Sequence, residues 1–546
     1  MFARIKKSGP YQYLQIVENT KEKGKVRQRV IATVGRLNEL EEKGRIETLI
    51  RSLSRFSERT LLVLSGDSAV LADAKKIGPS LIFERLWEIT GIKHAIKKAL
   101  KGRYYQFDVE RAIFLTVLHR LMVSGSDRFC NRWHRDYVID GVEGLDLHHL
   151  YRAMAFLGDK LPDQKKAGAF APRCFKDLIE EEIFFQRRDL FAELDLVFFD
   201  TTSIYFEGKG GRSLGRRGFS KDHRPDLRQM VVGVVIDNQG QPICCEMWPG
   251  NTADVSSLLP VVEELKKRFA IRNFCIVADR GMISAETIKV LESDESGLFY
   301  ILGARMRRDK EIREQVLSRP GRYTEVREEG KFSQDPSPLR VKQVELDGRR
   351  YIVCENPGQA RKEAAEREAI VADLKGKLKQ GPKSLIGNKG YRKYLKVEKD
   401  SVHIDEAKIE SEARYDGKWV IRTNMKLPAA QAALRYKELW QVERVFRDVK
   451  TLLDTRPIFH KCDETIRGHV FCSFLALVLR KELDRRLEAA GHCFEWAEIK
   501  QDLKALQAVL IEENGKRLSV RTQCKGVCGK VFQAMGIALP PTIREI

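Results

Sequence analysis

Apolar and polar residues alternate near the start of the chain, shift to three- and four-residue spacing after about residue 60, and return to β-type runs near residue 194. Residues 11–17 alternate, Gly24 marks a turn, and residues 26–34 alternate again in part, which predicts short strands over the first 40 residues. Helical spacing over 79–90, 109–123 and 150–156 predicts a helical region reaching about residue 190. Residues 194–206 are apolar on both faces around Asp200, as a central buried strand requires. Strands follow at 229–236 and 242–248, joined by a turn at 237–240. A helix over 253–269 takes Thr252 or Asp254 as its cap. A buried strand at 273–279, a helix at 284–292 and a strand at 297–302 complete this part.

Strand, strand, strand, helix, strand, helix, strand is the order of an α/β ribonuclease H-like core, short only of a last helix bearing a carboxylate. Residues 306–425 are highly charged, with strand-like pieces at 341–346, 351–353 and 418–422 and a charged helical stretch at 360–379. They read as a mainly β insertion that delays the missing helix until 428–453. The expected organisation is an N-terminal β-rich segment (1–60), a helical domain (61–190) and the first part of the core (191–305). The insertion (306–427), the catalytic helix with an apolar helix after it (428–480) and a C-terminal helical region (481–546) follow. There is no internal repeat.

Composition narrows the partner. Lys and Arg outnumber Asp and Glu by 98 to 77 in 546 residues, and the excess of +21 is spread along the chain, as a protein that meets a polyanion requires. Arg103, Arg120, Arg128, Arg132 and Arg135 put part of it on or beside the predicted helices of 61–190, which makes that region the expected DNA-binding domain, the other reading being a structural helical domain with solvated charges. No secretion signal opens the chain, and the best apolar run, 470–479, is too short to span a bilayer. The expectation is a cytoplasmic, nucleoid-associated protein with no membrane contact. The eleven cysteines read as reduced thiols: Cys244 and Cys245 point to opposite faces of a strand, and Cys524 with Cys528 lacks the companions a zinc site needs.

Three acids carry candidate chemistry. Two-ion phosphodiester cleavage needs carboxylates that hold divalent cations about 4 Å apart, converging from rigid elements. Asp200 sits among Phe198, Phe199 and Thr201, where its charge needs compensation by a cation, an Arg or the backbone. Asp279 ends the strand at 273–279, before Arg280 and Gly281, at the edge where ligands of open α/β sheets gather. Glu443 lies on the late helix, and helical spacing sets Tyr436, Trp440, Glu443, Arg447 and Lys450 on one face. That face offers a metal ligand, two cations for phosphates and aromatics for unpaired bases, although ion pairs beside a core Trp would share the pattern. The loop before residue 229 carries Arg212, Arg216, Arg217, Lys221 and Arg224, which suit DNA phosphates if they are not merely solvated. Asp222, Asp226, Glu246 and Asp254 are poorer ligands by their loop or edge positions.

These motifs resemble an insertion-sequence transposase of the DDE superfamily, in the group marked by Tyr-x2-Arg-x3-Glu-x6-Lys. Tyr436, Glu443 and Lys450 match the spacing, whereas Leu439 stands at the Arg position and leaves that phosphate contact to Arg444 or Arg447. Asp200-Thr201-Thr202-Ser203 and Asp279-Arg280-Gly281 resemble the group's first two acidic motifs; Ser220-Lys221-Asp222, Arg224-Pro225-Asp226 and the run from Arg456-Pro457 through His460 to His469 belong to the likeness too. The resemblance implies two Mg²⁺ ions, with Mn²⁺ as substitute, held by Asp200, Asp279 and Glu443. It implies double-stranded DNA as partner, both terminal inverted repeats and target, and a homodimer on DNA. Tyr436, Trp440, Arg447, Lys450, Arg217, Lys221, Arg224 and Arg280 are the expected DNA contacts. Two other readings use the same residues: a ribonuclease H-like nuclease without strand transfer, and a non-catalytic DNA-binding relic.

Overall fold

A computed structural model describes residues 2–22, 25–42, 44–53, 71–168, 171–187, 196–271, 274–293, 298–326, 339–378, 393–398, 401–448, 450, 456–513 and 516–545. The chain divides into two compact units, 1–70 and 71–546. In the first, β1 (Phe2–Ser8), β2 (Tyr11–Glu22) and β3 (Lys25–Arg36) form an antiparallel sheet in that order, followed by α1 (Leu37–Glu42) and α2 (Arg45–Leu53). The alternating runs 11–17 and 26–34 lie in β2 and β3, and Val17 and Leu40 are buried.

The second unit opens with β4 (Leu71–Lys76) and six helices: α3 (Gly78–Ile89), α4 (Ile92–Ala99), α5 (Val109–Met122), α6 (Asp127–Trp133), α7 (Leu147–Gly158) and α8 (Phe175–Arg187). Asp108 caps α5 by accepting from the Arg111 amide at 3.1 Å. Every residue of α5 is buried, as a helix apolar on all sides demands. It packs on α7 and on a 27-residue helix from the far end of the chain, α15 (Asp463–Ala489), which contains the predicted apolar stretch 470–479. The helical region therefore shares its core with the C-terminal part. The same sharing appears in the strands: β4 pairs with β16 (Gln507–Glu513), in a sheet of order β18-β17-β16-β4 with β17 (Lys516–Arg521) and β18 (Ile543–Glu545). Arg120, expected near the DNA, is buried in this core and donates to the His469 carbonyl and to Ser473.

The central sheet has nine strands. Its core half is β5 (Leu196–Tyr205), β6 (Gln229–Asp237), β7 (Pro242–Pro249), β8 (Cys275–Ala278) and β9 (Phe299–Gly303), in the order β9-β8-β5-β6-β7. β5, β6 and β7 are antiparallel neighbours, and β8 and β9 run parallel to β5. Residues 194, 195, 273 and 297 of the expected strands lie outside the described residues. Between β7 and β8 the predicted helix is α9 (Leu258–Phe269), and between β8 and β9 it is α10 (Ala285–Leu291), capped by Ser284. α9 starts later than expected. Neither Thr252 nor Asp254 caps it; a short 3₁₀ turn at Asp254–Ser256 intervenes, and the side chain of Asp254 is used elsewhere.

Most described strands of the charged stretch after β9 extend the core's own sheet. β10 (Thr324–Val326), β11 (Leu339–Leu346), β12 (Arg349–Glu355) and β15 (Lys418–Thr423) extend the central sheet beyond β9. Between β12 and β15 lie α11 (Pro357–Leu378), the small pair β13 (Leu395–Glu398) and β14 (Ser401–Ile404), and α12 (Glu406–Ala413).

The expected single helix over 428–453 is two: α13 (Ala429–Lys437) and α14 (Trp440–Arg447). The backbone tightens between them. Leu439 N–H donates to the Tyr436 carbonyl, Gln441 N–H to that of Glu438 and Val442 N–H to that of Leu439, all three-residue bonds of 3₁₀ type. Residues 451–453 of the expected helix lie outside the described residues. α16 (Trp496–Ala505) and α17 (Cys528–Ala534) complete the unit, and no described helix is long and apolar enough to cross a membrane.

Strand alternation divides the side chains of the sheet between two cores. Val197, Phe199, Cys244, Ile276 and Ala278 pack on one face with Val261 and Leu265 of α9. Phe198, Ile204, Cys245 and Val277 pack on the other with Val442, Val445 and Phe446 of α14 and with α15. Cys244 and Cys245 fall on opposite faces, as their adjacency predicts.

Candidate active site

Register brings the first two acids together. Phe198 pairs with Val277 and Phe199 with Ala278 across the parallel strands β5 and β8. One further step sets Asp200 beside Asp279, on the face that Phe198 and Val277 share with α14. Burial pushes Asp200 up to about 6; the Lys221 ammonium and the Thr201 amide pull it down, and the charges of Asp279 and Asp254 push it up again. Two carboxylates side by side in a partly dehydrated place fit a divalent cation, which would remove the repulsion and the burial cost together.

Thr201 points to the opposite face of β5, and a second layer forms there. Its hydroxyl donates to Asp254 Oδ1 at 2.7 Å, and Lys221 Nζ lies 2.7 Å from the Thr201 carbonyl, 2.9 Å from its hydroxyl and 3.1 Å from Asp254 Oδ2. The Lys221 amide also donates to Ser203 at 2.9 Å. Asp254 is thus a support of the strand that bears Asp200.

On the other side of Asp279, the Tyr436 hydroxyl donates to Oδ1 at 3.2 Å. The turn after Asp279 is held by Arg305, whose guanidinium donates to the carbonyls of Arg280 at 2.9 Å and Gly281 at 3.0 Å. Nothing in the sequence pattern singles out Arg305; its part depends on the path of the chain after β9.

α14 lies against β5 and β6 through Val442, Val445 and Phe446, and Glu443 is on its exposed side. The groups of three His, Cys or acid side chains whose ligand atoms lie within 4.8 Å of one another do not include Asp200, Asp279 and Glu443. Tyr436 and Lys450 do not share the exposed face of Trp440, Glu443 and Arg447; both are partly buried. For Tyr436 the reason is the tightened turn between α13 and α14, where each residue advances about 120° instead of 100°; Lys450 lies past the end of α14. Leu439, where the resemblance expects an Arg, is 7% exposed and belongs to the core under the helix, so it takes a packing role.

Lys450 Nζ donates to Asp222 Oδ1 at 2.7 Å, and Arg456 pairs with the same oxygen. Arg224 forms a fork on Asp226 and lies over the Tyr205 ring. Arg217, Arg280 and Arg447 are exposed, and Trp440 is 48% exposed, so it is not a core residue. It borders a groove of about 600 Å³ with Arg444, Lys481, Arg485 and Phe494.

The three compact ligand groups elsewhere have their own compensation. Asp127, His460 and His469 surround the buried guanidinium of Arg120, which lies 2.9 Å from His469 Nδ1 and 3.8 Å from Asp127. Asp177, Glu180 and Glu246 enclose Lys176 and Arg268. Asp146 and His149 form the capping box of α7. Glu246 is therefore an internal ion partner and not a member of the Asp200 site.

A basic chain whose central sheet sets two acids side by side, on a face crossed by a helix with a third, has the build of a nucleic-acid phosphoryl-transfer enzyme. Residues 192–479, more than half of the chain, match the family described as transposase DDE domain, and residues 3–67 match that described as IS1634 family transposase, N-terminal domain. The chain belongs to the DDE transposases: it is an insertion-sequence DNA transposase that depends on divalent metal and catalyses strand cleavage and transfer. Among solved structures it is similar to piggyBac transposase in a synaptic complex with hairpin DNA, at 11% identity and a TM-score of 0.37, over 78% of this chain and 79% of that one. The comparison with curated proteins returns no match.

Proposed function

We propose that Asp200, Asp279 and Glu443 are the catalytic acids, that the signature group is the Tyr-Arg-Glu-Lys one, and that β7-β6-β5-β8-β9 with α14 form a ribonuclease H-like core. The observation that carries this reading is the juxtaposition of Asp200 and Asp279 on the sheet face that α14 crosses. Two Mg²⁺ ions, with Mn²⁺ as substitute, would be held by these carboxylates and supply charge stabilisation at the attacking and leaving oxygens. Glu443, on the exposed side of α14, completes the set when DNA and cations arrive.

The chain's own groups orient the acids. Lys221 and Asp254 brace β5 through Thr201, Tyr436 orients Asp279, and Arg305 holds the turn. Arg217, Arg280 and Arg447 hold DNA phosphates, Arg224 joins them by leaving Asp226, and Trp440 stacks on an unpaired base at the element's end. The substrate is the pair of terminal inverted repeats, bound by a homodimer that acts in the nucleoid, and target DNA receives the freed 3′ end.

The test is incubation of the wild type and of Asp200→Ala, Asp279→Ala and Glu443→Ala with repeat-end DNA and Mg²⁺. Cleavage and joining by the wild type alone, with DNA binding kept by all four, supports the assignment. A variant that still cleaves removes its acid from the set.

A further inference from the structure

The loop between β5 and β6 carries two adjacent residues of opposite charge that reach in opposite directions. Lys221 goes to the strand of the first acid: its ammonium holds the Thr201 carbonyl and hydroxyl and Asp254. Asp222 goes to the chain beyond the helix of Glu443. One of its oxygens accepts from Lys450, on the residues that follow α14, and from Arg456, at the start of the return to the sheet. That return is itself fastened to the end of β5, where Ile458 N–H donates to the Tyr205 carbonyl at 3.2 Å and Glu207 N–H to the Ile458 carbonyl at 3.0 Å.

The Asp222 side chain is 6% exposed and that of Lys450 13%, so water screens this ion pair little. Arg456 also lies over the Tyr205 ring, 5.8 Å from its centroid. A carboxylate so enclosed and shared by two cations is not a surface charge awaiting solvent. The sequence shows it as a loop acid within a stretch of the family likeness; its partners are brought to it by the fold.

We propose that Asp222 is a positioning residue for the transposition reaction, holding Lys450 and Arg456 and through them the C-terminal end of the Glu443 helix. With Lys221 beside it, the dipeptide couples the strand of Asp200 to the helix of Glu443, so that the third acid keeps its place relative to the first. This rests on the assignment of Glu443 as a catalytic acid, and it gives Asp222 no part in holding DNA or metal.

The experiment pairs hydrogen exchange with single-turnover cleavage of repeat-end DNA, on the full chain. Asp222→Ala and Asp222→Asn are measured beside Lys450→Ala and the double variant Asp222→Ala/Lys450→Ala. Expected are exchange over residues 440–448 at least about tenfold faster in Asp222→Ala, cleavage at saturating DNA slower by about tenfold or more, and repeat-DNA affinity within about threefold of wild type. The double variant should be no slower than the worse single one, as expected for two residues acting as one unit. The exchanged pair Asp222→Lys/Lys450→Asp should recover part of the loss, which a variant that had simply unfolded would not allow. Unchanged exchange over 440–448 in Asp222→Ala overturns the proposal, and so do additive losses. Tighter DNA binding by Asp222→Ala with an undisturbed helix also overturns it, because Asp222 would then be a competitor of phosphate. If the wild type does not cleave, the catalytic assignment fails separately, and the exchange measurement still decides whether Asp222 orders the helix.

Discussion

Tyr436 and Asp279 come from helix α13 and from the end of strand β8, and the hydroxyl of the first donates to Oδ1 of the second at 3.2 Å. The contact leaves no spare room. A Cβ on Gly303, the last residue of β9, would fall 2.1 Å from the Tyr436 oxygen. Tyr436 is therefore packed against an acid, and a glycine on a third element makes space for it.

Tyr436→Phe should slow repeat-end cleavage by about tenfold, since one hydrogen bond to a charged group is lost while the ring still packs. Gly303→Ala should do more harm, because it displaces the whole ring. Single-turnover rates for the two variants, with binding measured beside them, check the order. A Gly303→Ala enzyme faster than Tyr436→Phe would show that the hydroxyl and not the ring placement matters.

Divalent cation should stabilise the wild type against heat, because it binds the folded acids and not the unfolded chain. Without metal, burial holds Asp200 at about 6, so its ionised form opposes folding at neutral pH. Asp200→Asn should melt higher than wild type in chelator, by roughly 1 kcal/mol of stability or more, and should gain little from Mg²⁺ or Mn²⁺. Thermal melts with and without cation read both effects.

His119 sets an acid limit. Burial lowers it from the ordinary 6.5 to about 4, Arg120 lowers it further and Asp127 opposes both. Between those values the unfolded chain takes a proton that the folded protein refuses. This contribution is complete above about 6.5 and is lost as pH falls through the window, to a total of about 3 kcal/mol. His119→Phe should flatten the fall in denaturant-measured stability between pH 6.5 and 4; an unchanged slope there would remove His119 as its source.

Trp440→Ala should cost less than about 1 kcal/mol of stability, because the side chain is half exposed. Its effect should fall instead on DNA ends. With a repeat end whose terminal base is unpaired the variant should bind several-fold more weakly than wild type, whereas fully paired internal DNA should bind alike. Gel-shift titrations with the two DNAs make the comparison.

The sequence by itself determined the local elements of this protein and the identity of its candidate acids. Alternation marked β2 and β3, a run apolar on both faces marked β5 around Asp200, and Cys244 and Cys245 were bound for opposite faces by adjacency alone. These features depend on side-chain period, which belongs to a single element. The tertiary structure alone decided what meets what. Asp200 and Asp279 stand together because two distant strands pair in parallel at one register. Asp254 turned from a helix cap into a brace, Asp222 from a loop acid into the partner of Lys450, and Arg120 from one of the basic side chains of the helical region into a buried core cation. The strands after β9 joined the central sheet because β9 presents an edge whose backbone groups need partners, and no local pattern states which strand will supply them. The predicted helix face was divided for the same kind of reason: packing of Leu439 into the core and a tightened turn turned Tyr436 toward Asp279 and left Trp440 and Glu443 outward.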